Sequence, residues 1–373
     1  MLEYLLKSTV GHTKKEYQTH SIFIFLLLAV YIFFVAIGLI QESLKIIGQD
    51  YIREFVENNS NPFVMLFVGL LVTAIIQSSS TTSSILVILV SAQIISLNAA
   101  VPMIMGANIG TTITSTFFAL GYVNNKADYR RAIGAATAHD FFNLCTAVIL
   151  FPLEYYFGFL SHIAQFLAKS FWIFPKLTLN EIDFQYNIFK PTVHFISYIL
   201  SEKLWLLLSV SVIMLLLALK FFALLIKELF VRGKRLNSYF FNRPYMAVLT
   251  GFVMTSIMQS SSAMTSMLIP LVVIRKISVR QVFPFIVGTN IGTTITALIV
   301  AFNHSEVAMS VALVHFLFNF IGFLIFFPIP FLRNIPLNLA LYLGKISWEK
   351  QYIGFLYIFL IFFIIPFFLI YFS

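Results

Sequence analysis

Two polar blocks in otherwise apolar sequence, Gln77–Ser80 and Gln259–Ser262, constrain the fold of this chain more than any other feature. Each block is a glutamine followed by three serines, with no lysine or arginine beside it. Such a cluster is costly to bury in an apolar environment unless its groups are hydrogen-bonded or bind something. The second block follows the first by 182 residues and its flanks repeat with it, so the chain contains an internal duplication.

The composition predicts an all-α polytopic membrane protein. The 373 residues are 60% hydrophobic and only 10% charged, whereas soluble domains carry about 25% charged residues. The basic residues behind the net charge of +9 gather in short loops, as the positive-inside bias requires, so no nucleic-acid partner is expected. A single cysteine, Cys145, excludes an intramolecular disulfide, and no Cys/His spacing indicates zinc or another cofactor. The first apolar run, 22–47, is too long for a cleaved signal peptide.

The apolar runs divide the chain into five parts: 1–47, a cytoplasmic tail and first span; 48–153, the first repeat; 154–243, an extracellular stretch, a span and a basic cytoplasmic linker; 244–332, the second repeat; and 333–373, a C-terminal segment with a final span. Within the repeats, 62–95 and 244–274 predict hairpins, 101–122 and 282–302 broken helices, and 132–153 and 307–332 complete spans. The hairpin runs are too short for two spans of about 20 residues each, so re-entrant hairpins are expected.

A second motif recurs at the same offset, Asn108–Thr112 and Asn290–Thr294. Its glycine, asparagine and threonines are expected to let a helix unwind and expose carbonyl groups, and the alternative is close helix contact without a ligand. His315 and Asn319 then echo a histidine and an asparagine of the first copy at a slightly shorter offset.

The charge pattern predicts that the two copies are inverted. The loop 91–100 has no lysine or arginine, whereas its counterpart 274–280 has three. After the next helix the pattern swaps, with three basic residues in 124–131 and none in 303–306. Under the positive-inside rule the first hairpin enters from outside and the second from the cytoplasm. Inverted repeats with broken helices are typical of secondary transporters.

The repeated blocks have the chemistry of an ion site. Hydroxyl and amide oxygens suit alkali cations, and free backbone N–H groups at helix starts suit an oxyanion. Without lysine or arginine, a bound anion would need compensation from cations and helix ends, which is a physical basis for coupling. The alternative is that the hydroxyls only bond back to helix carbonyls and allow close packing, but the repetition of both motifs favours a site.

Asp140 is an ionisable residue inside a predicted span, which marks a functional candidate. It could ligate a cation or act in a proton relay, or it could pair with His139 or reach the helix-bundle interface. His139 and His315 each lie one helical turn before an asparagine, Asn143 or Asn319, and a structural hydrogen bond is expected for both. Asp140 has no counterpart in the second copy, where a phenylalanine takes its place.

These motifs resemble the sodium-dependent phosphate cotransporter family, the type II sodium–phosphate transporters and their bacterial relatives. The matching features are both Gln-Ser-Ser-Ser blocks with the hydroxyls that follow them, the paired Asn-Ile-Gly-Thr-Thr segments, and the run 131–143. The resemblance covers roughly residues 60–150 and 243–325. It implies inorganic phosphate as substrate, sodium as coupling ion, and a multi-pass protein of the cell (inner) membrane.

The resemblance also implies roles for individual residues. Phosphate would contact hydroxyl residues of both blocks, Ser78, Ser79, Ser80, Thr81, Ser260, Ser261 and Ser262. Sodium would bind at Gln259, Ser260, Thr293 and Thr296, with Gln77 as the pseudo-symmetric partner, and Asp140 would hold an additional sodium ion and make transport electrogenic. Residues of the second motif and its neighbours would support the site: Asn108, Thr111, Thr112, Asn290, Thr294, His139, Asn143, His315 and Asn319.

The sequence therefore predicts a sodium-coupled importer of inorganic phosphate, an electrogenic symporter that works by alternating access and is not an enzyme. A transporter of the same fold for sulfate or arsenate is one alternative, because hydroxyls and helix dipoles discriminate poorly between tetrahedral oxyanions. An ion channel is another. A membrane-bound serine hydrolase is more remote, since the chain lacks a Gly-x-Ser-x-Gly elbow. Cys145 cannot form the outer-loop disulfide of animal members, the soluble regulatory domain of some bacterial members is not expected, and no oligomeric state is predicted.

Overall fold

All regular structure that the computed structural model describes is helical, with no strand in the described ranges, which confirms the all-α class. The described residues are 61–173, 184–200, 241–372 except 303, and most positions of 24–43 and 203–221. The predicted tail 1–20, the loop 48–60, the middle of the extracellular stretch at 174–183 and most of the linker 227–243 lie outside them.

The helices in chain order are α1 (Leu27–Ile40), α2 (Pro62–Ile76), α3 (Ser79–Ser91), α4 (Leu97–Gly110), α5 (Ile113–Leu120), α6 (Lys126–Phe157), α7 (Phe159–Ile173), α8 (Phe184–Leu200), α9 (Trp205–Leu215), α10 (Pro244–Met258), α11 (Ser261–Val273), α12 (Val279–Ala301), α13 (Glu306–Phe326), α14 (Pro330–Glu349), α15 (Tyr352–Phe359) and α16 (Ile365–Phe372).

Five helical stretches in the described part of the chain are long and apolar enough to cross a membrane: Leu97–Leu120, Lys126–Phe157, Val279–Ala301, Glu306–Phe326 and Tyr352–Phe372. The first four are mostly buried inside the protein, whereas only 24% of the last is buried. A π-turn at Leu360–Ile364 separates α15 from α16. Pro366 follows it, and because proline has no N–H it cannot complete a regular α-helical turn there.

The chain forms two compact units. The first contains residues 1–47 and 182–236, and its described core brings Val35 and Leu39 against Val193 and Leu207. The second contains residues 48–181 and 237–373. Both copies of the polar motifs lie in this second unit, so every predicted site residue belongs to it.

Each polar block interrupts a pair of helices in the same way. The first arms, α2 and α10, have 15 residues each and begin at a proline, whose fixed φ suits the first helical turn. The second arms, α3 and α11, have 13 residues each. Between the arms, Gln77 and Gln259 adopt the left-handed conformation with φ of 59° and 53°. Gln93 and Arg275, which follow the second arms, are left-handed too, so the duplication extends to backbone conformation.

The first arm of each pair packs against a neighbouring helix, α4 or α12, with almost no side-chain layer between them. A Cβ on Gly106 of α4 would lie 1.8 Å from the carbonyl oxygen of Leu66 in α2. A Cβ on the equivalent Gly288 of α12 would lie 2.0 Å from the carbonyl oxygen of Val248 in α10. These distances are far below van der Waals contact, so glycine is required there. The glycines of this region therefore make close helix contacts, as one of the two interpretations expected.

The predicted broken helix differs between the copies. In the first copy a short turn at Thr111–Thr112 separates α4 from α5. In the second copy the prediction of a break within 282–302 is wrong, because α12 runs without interruption from Val279 to Ala301. Thr293 and Thr294 donate their hydroxyls to carbonyls three residues earlier, each at 2.7 Å, so they follow the helix instead of opening it.

The loops that the charge pattern places on one side of the membrane do lie together. Arg130 and Arg131 begin α6 in the first copy, whereas Arg275 follows the second hairpin, and all three line one pocket. These elements are not equivalent in the duplication, and the inverted arrangement of the copies stays a prediction. The orientation across a membrane, and the re-entrant course of the hairpins, stay predictions.

Candidate functional site

The two polar blocks contact the opposite copy directly. Ser80 at the start of α3 donates its hydroxyl to the main-chain carbonyl of Gln259 at 3.0 Å. Ser262 at the start of α11 donates to the carbonyl of Thr111, in the turn between α4 and α5, at 2.8 Å. Both serine side chains are buried. The structure thus brings the predicted phosphate residues of the two copies together.

Both blocks present the N-terminus of a helix. Ser78 and Ser260 are the N-caps, and their hydroxyls accept the N–H groups of Thr81 and Ala263 at 3.2 Å. The N–H groups of the first two helical residues in α3 and α11 have no acceptor within their helix. The hydroxyls of Ser79 and Ser261 make no hydrogen bond within the described part of the chain.

These groups together can hold an anion without a basic side chain. Unpaired N–H groups at a helix start carry positive partial charge, and serine hydroxyls can turn their protons toward an acceptor. The stretches 62–91 and 244–273 contain no lysine, arginine, aspartate or glutamate. The Thr81 hydroxyl is already used locally, since it donates to Ser78 at 2.9 Å.

Four of the predicted sodium residues lie in two places: the glutamines at the left-handed turns and the threonines in α12. Gln77 is exposed and Gln259 half-buried at the left-handed turns. Thr293 and Thr296 lie three residues apart, on one face of α12. The Thr293 hydroxyl bonds to its own helix, but the Thr296 hydroxyl is buried with no partner among the described residues. Thr114, its equivalent in the first copy, has the same unpartnered hydroxyl.

Asp140 makes no side-chain hydrogen bond to the other predicted sodium residues or to His139 within the described part of the chain. Its side chain is fully buried in α6 and accepts the hydroxyl of Thr116 at 3.0 and 3.3 Å from its two oxygens. The side chains of Thr112 and Tyr357 also lie near the carboxylate. The Thr112 hydroxyl donates to the carbonyl of Ile109, however, and the Tyr357 hydroxyl has no hydrogen-bond partner among the described residues. Asp140 is therefore surrounded by hydroxyl groups from the α4–α5 region and from α15.

The supporting asparagines form a hydrogen-bonded network between the copies. Asn290 donates to the side chain of Asn143 at 2.7 Å, and Asn143 donates to the carbonyl of Asn108 at 2.6 Å. Asn319 donates to the side chain of Asn108 at 2.8 Å. His139 Nε2 is hydrogen-bonded to the side-chain oxygen of Asn290. Four buried helices are thus joined through amide groups.

The network is not symmetric. His139 has a partner, whereas both ring nitrogens of the buried His315 have none among the described residues. The expected structural hydrogen bond is therefore present for His139 and missing for His315. The side-chain oxygen of Asn319 is also unpartnered. Thr111 and Thr112 donate their hydroxyls to carbonyls in the last turn of α4, and Thr294 donates to a carbonyl of its own helix.

Three residues near the site were not singled out from sequence. Thr116 lies one helical turn after Thr112, so a search for hydroxyls on the same helix face would have found it. Thr114 could have been found as the counterpart of Thr296. No sequence signal places Tyr357 beside Asp140, because it lies in the final apolar segment, which has no repeat.

Comparison with known proteins gives one consistent result. The model of the Na+/Pi-cotransporter family matches residues 32–162 and 207–327, more than half of the chain. Human (Homo sapiens) sodium-dependent phosphate transport protein 2B is 30% identical, over 96% of this chain and 66% of the relative. Sodium-dependent phosphate transport protein 2A from sheep (Ovis aries) is 30% identical, and the same protein from mouse (Mus musculus) is 29% identical. Each match covers 90% of this chain and 65% of the relative.

The chain thus spans slightly less than two thirds of the length of these relatives. No solved structure matches it. The family match covers both polar blocks and the helices that hold them, α2 to α6 and α10 to α13. With its five membrane-spanning candidates and its paired helix breaks, the chain belongs to the Na+/Pi-cotransporter family.

Proposed function

We propose that this protein is a sodium-coupled importer of inorganic phosphate, located in the cell (inner) membrane. The observation that carries the proposal is the contact between the two polar blocks, in which Ser80 of one copy reaches the main chain of Gln259 in the other. It supports a single site made by both copies. The family relatives are named as sodium-dependent phosphate transport proteins, which agrees with this substrate and this coupling ion.

Phosphate in this proposal is held by helix N-termini and hydroxyls. The free N–H groups at the starts of α3 and α11, with the hydroxyls of Ser79 and Ser261, are the donors. The other predicted phosphate residues shape the site: Ser78 and Ser260 cap the two helices, and Ser80 and Ser262 tie them to the opposite copy. Partial charges alone do not neutralise a phosphate dianion, so cations must enter with it.

Sodium supplies that charge. Gln259, Ser260, Thr293 and Thr296 offer amide and hydroxyl oxygens, the hard ligands that alkali cations prefer. The unpartnered hydroxyl of Thr296 supports this assignment, since a buried hydroxyl without a partner is costly unless a ligand satisfies it. Gln77 is the equivalent amide in the first copy. Because each ion lowers the electrostatic cost of the other, their binding is cooperative.

Asp140 makes transport electrogenic in this proposal. Its carboxylate, buried with the hydroxyls of Thr116 and Tyr357, has the oxygen ligands for an additional sodium ion. In a buried site a carboxylate is stable as an anion only when a cation accompanies it. Alternating access then follows from rocking of the elements around the central site, which exposes it to each side in turn.

Uptake of labelled phosphate into proteoliposomes tests the proposal. An inward sodium gradient should drive saturable uptake, an inward potassium gradient should not, and an inside-negative potential should increase the initial rate. Excess unlabelled sulfate or arsenate shows whether another oxyanion competes. Uptake that is equal in sodium and potassium, or that does not saturate with phosphate, would overturn the proposal.

A further inference from the structure

A pocket of about 410 Å³ lies between the start of α6, the loop that joins α11 to α12, and the helix α14. Three of the residues that line it are arginines, Arg130, Arg131 and Arg275, and Leu341 and Trp348 of α14 form an apolar side. Its volume is in the range of small-molecule sites. None of its lining residues belongs to the central site described above.

The positive charge of this pocket is only partly neutralised. Arg131 forms an ion pair with Asp128 and donates its Nε to the carbonyl of Val273 at 3.0 Å. The guanidinium groups of Arg130 and Arg275 make no ion pair or hydrogen bond with any part of the chain that the structure describes. Three guanidinium groups therefore face one carboxylate, an arrangement in which like charges repel until an anion binds.

We infer that this pocket binds a phosphate group, carried either by inorganic phosphate or by the headgroup of an anionic phospholipid. Guanidinium groups match phosphate oxygens through paired N–H donors. The apolar side suits either source: tryptophan is enriched at the membrane interface, where headgroups lie, and an apolar wall strengthens the attraction of the arginines for a free anion. The chemistry differs from that of the central site, which has no arginine.

The pocket also adjoins the second hairpin. Val273 is the last residue of α11, and its carbonyl is held by Arg131 from the first copy. An anion beside Arg131 thus lies next to the link between the two copies at this end of α11. The charge pattern places this end of α11 on the cytoplasmic side. On that side the pocket would be accessible both to phosphate released from the central site and to anionic lipid headgroups.

Fluorescence of Trp348 is a direct reporter of the pocket. The chain has three tryptophans, so Trp172→Phe/Trp205→Phe leaves Trp348 as the only one. Sodium-free detergent solution is used, because the proposed central site needs sodium. The protein is titrated with inorganic phosphate, with dihexanoyl phosphatidylglycerol, and with dihexanoyl phosphatidylcholine as the zwitterionic comparison. Arg130→Gln/Arg275→Gln removes the two unpaired charges and keeps Arg131, and Lys276→Gln removes a neighbouring charge that does not line the pocket.

A saturable change with phosphate identifies the free anion, and a saturable change with phosphatidylglycerol alone identifies a lipid headgroup. Either response should weaken at least about tenfold in Arg130→Gln/Arg275→Gln and stay unchanged in Lys276→Gln. No saturable response to either probe, or an equal response in the double variant, overturns the inference. If the tryptophan replacements unfold the chain, calorimetry on the chain with its own tryptophans gives the same comparison of Arg130→Gln/Arg275→Gln with Lys276→Gln.

Discussion

The hydroxyl of Ser80 lies 3.0 Å from the main-chain carbonyl oxygen of Gln259, across a sequence separation of 179 residues. This one hydrogen bond connects the first helix N-terminus to the left-handed turn of the second block. A change in the backbone of this turn would therefore also shift the proposed phosphate donors at the start of α3. A variant that tests sodium binding by Gln259 must for this reason preserve the left-handed turn.

Gln259→Asn is expected to weaken the apparent sodium affinity about fivefold, the equivalent of about 1 kcal/mol for one lost polar contact. Asparagine tolerates the left-handed conformation but its amide is one methylene shorter. Sodium activation of phosphate uptake measures the effect. Gln93→Asn is the matched control, since Gln93 is also left-handed but lies outside the block. A change in phosphate affinity alone would show that Gln259 does not bind sodium.

Asp140→Asn should abolish or strongly reduce the current that phosphate induces while sodium-driven uptake continues. The substitution keeps the shape of the side chain and its acceptor for Thr116, but removes the negative charge that would hold an additional sodium ion. Current and labelled uptake are measured on the same proteoliposomes. An unchanged current per phosphate would remove Asp140 from the coupling scheme.

Tyr357→Phe should shift the sodium dependence of the current without abolishing it. The variant keeps the ring, whose centroid lies 5.8 Å from that of Phe141, and removes the hydroxyl beside Asp140. Tyr352→Phe is the control, because Tyr352 is an exposed tyrosine of the same helix. Identical sodium curves for Tyr357→Phe and the unsubstituted protein would limit Tyr357 to packing.

Gly106→Ala and Gly288→Ala should each lower the free energy of unfolding by at least about 2 kcal/mol, because an added Cβ would collide with a carbonyl oxygen of the facing helix. Thermal unfolding in detergent measures the loss. Gly134→Ala is the control: its added Cβ would lie 3.7 Å from the nearest atom, so alanine should be neutral or stabilising by up to about 1 kcal/mol through helix propensity. Equal melting temperatures for all three variants would contradict the packing argument.

The repeated parts of the fold could be predicted from sequence because each copy supports the interpretation of the other. Gln77 and Gln259 occupy equivalent positions in two equivalent helix pairs, and both have the left-handed backbone conformation. The uninterrupted helix α12 could not be predicted, since its Asn-Ile-Gly-Thr-Thr segment is identical to the one that contains a turn in the first copy. The close glycine packing does not distinguish the copies either, because Gly106 and Gly288 make equivalent backbone contacts.

The sequence predicted which residues belong to the candidate site better than it predicted the hydrogen bonds between them. Asn108, Asn143, Asn290 and Asn319 were all expected to support it, but only three-dimensional packing decides that His139 has an asparagine partner and His315 has none. Tyr357 was missed because an apolar segment without a repeat gives no reason to assign a role to one of its tyrosines.

The glycine contacts set a limit on how the molecule can change shape. Where Gly106 meets Leu66 and Gly288 meets Val248, backbone touches backbone, and no layer of side chains remains to repack if one helix slides past the other. We therefore expect each first arm and the helix that it contacts, α4 or α12, to move as one body. The left-handed glutamines stand at the end of each first arm, so any rotation of a second arm relative to its first arm would require a change of backbone angles at Gln77 or Gln259.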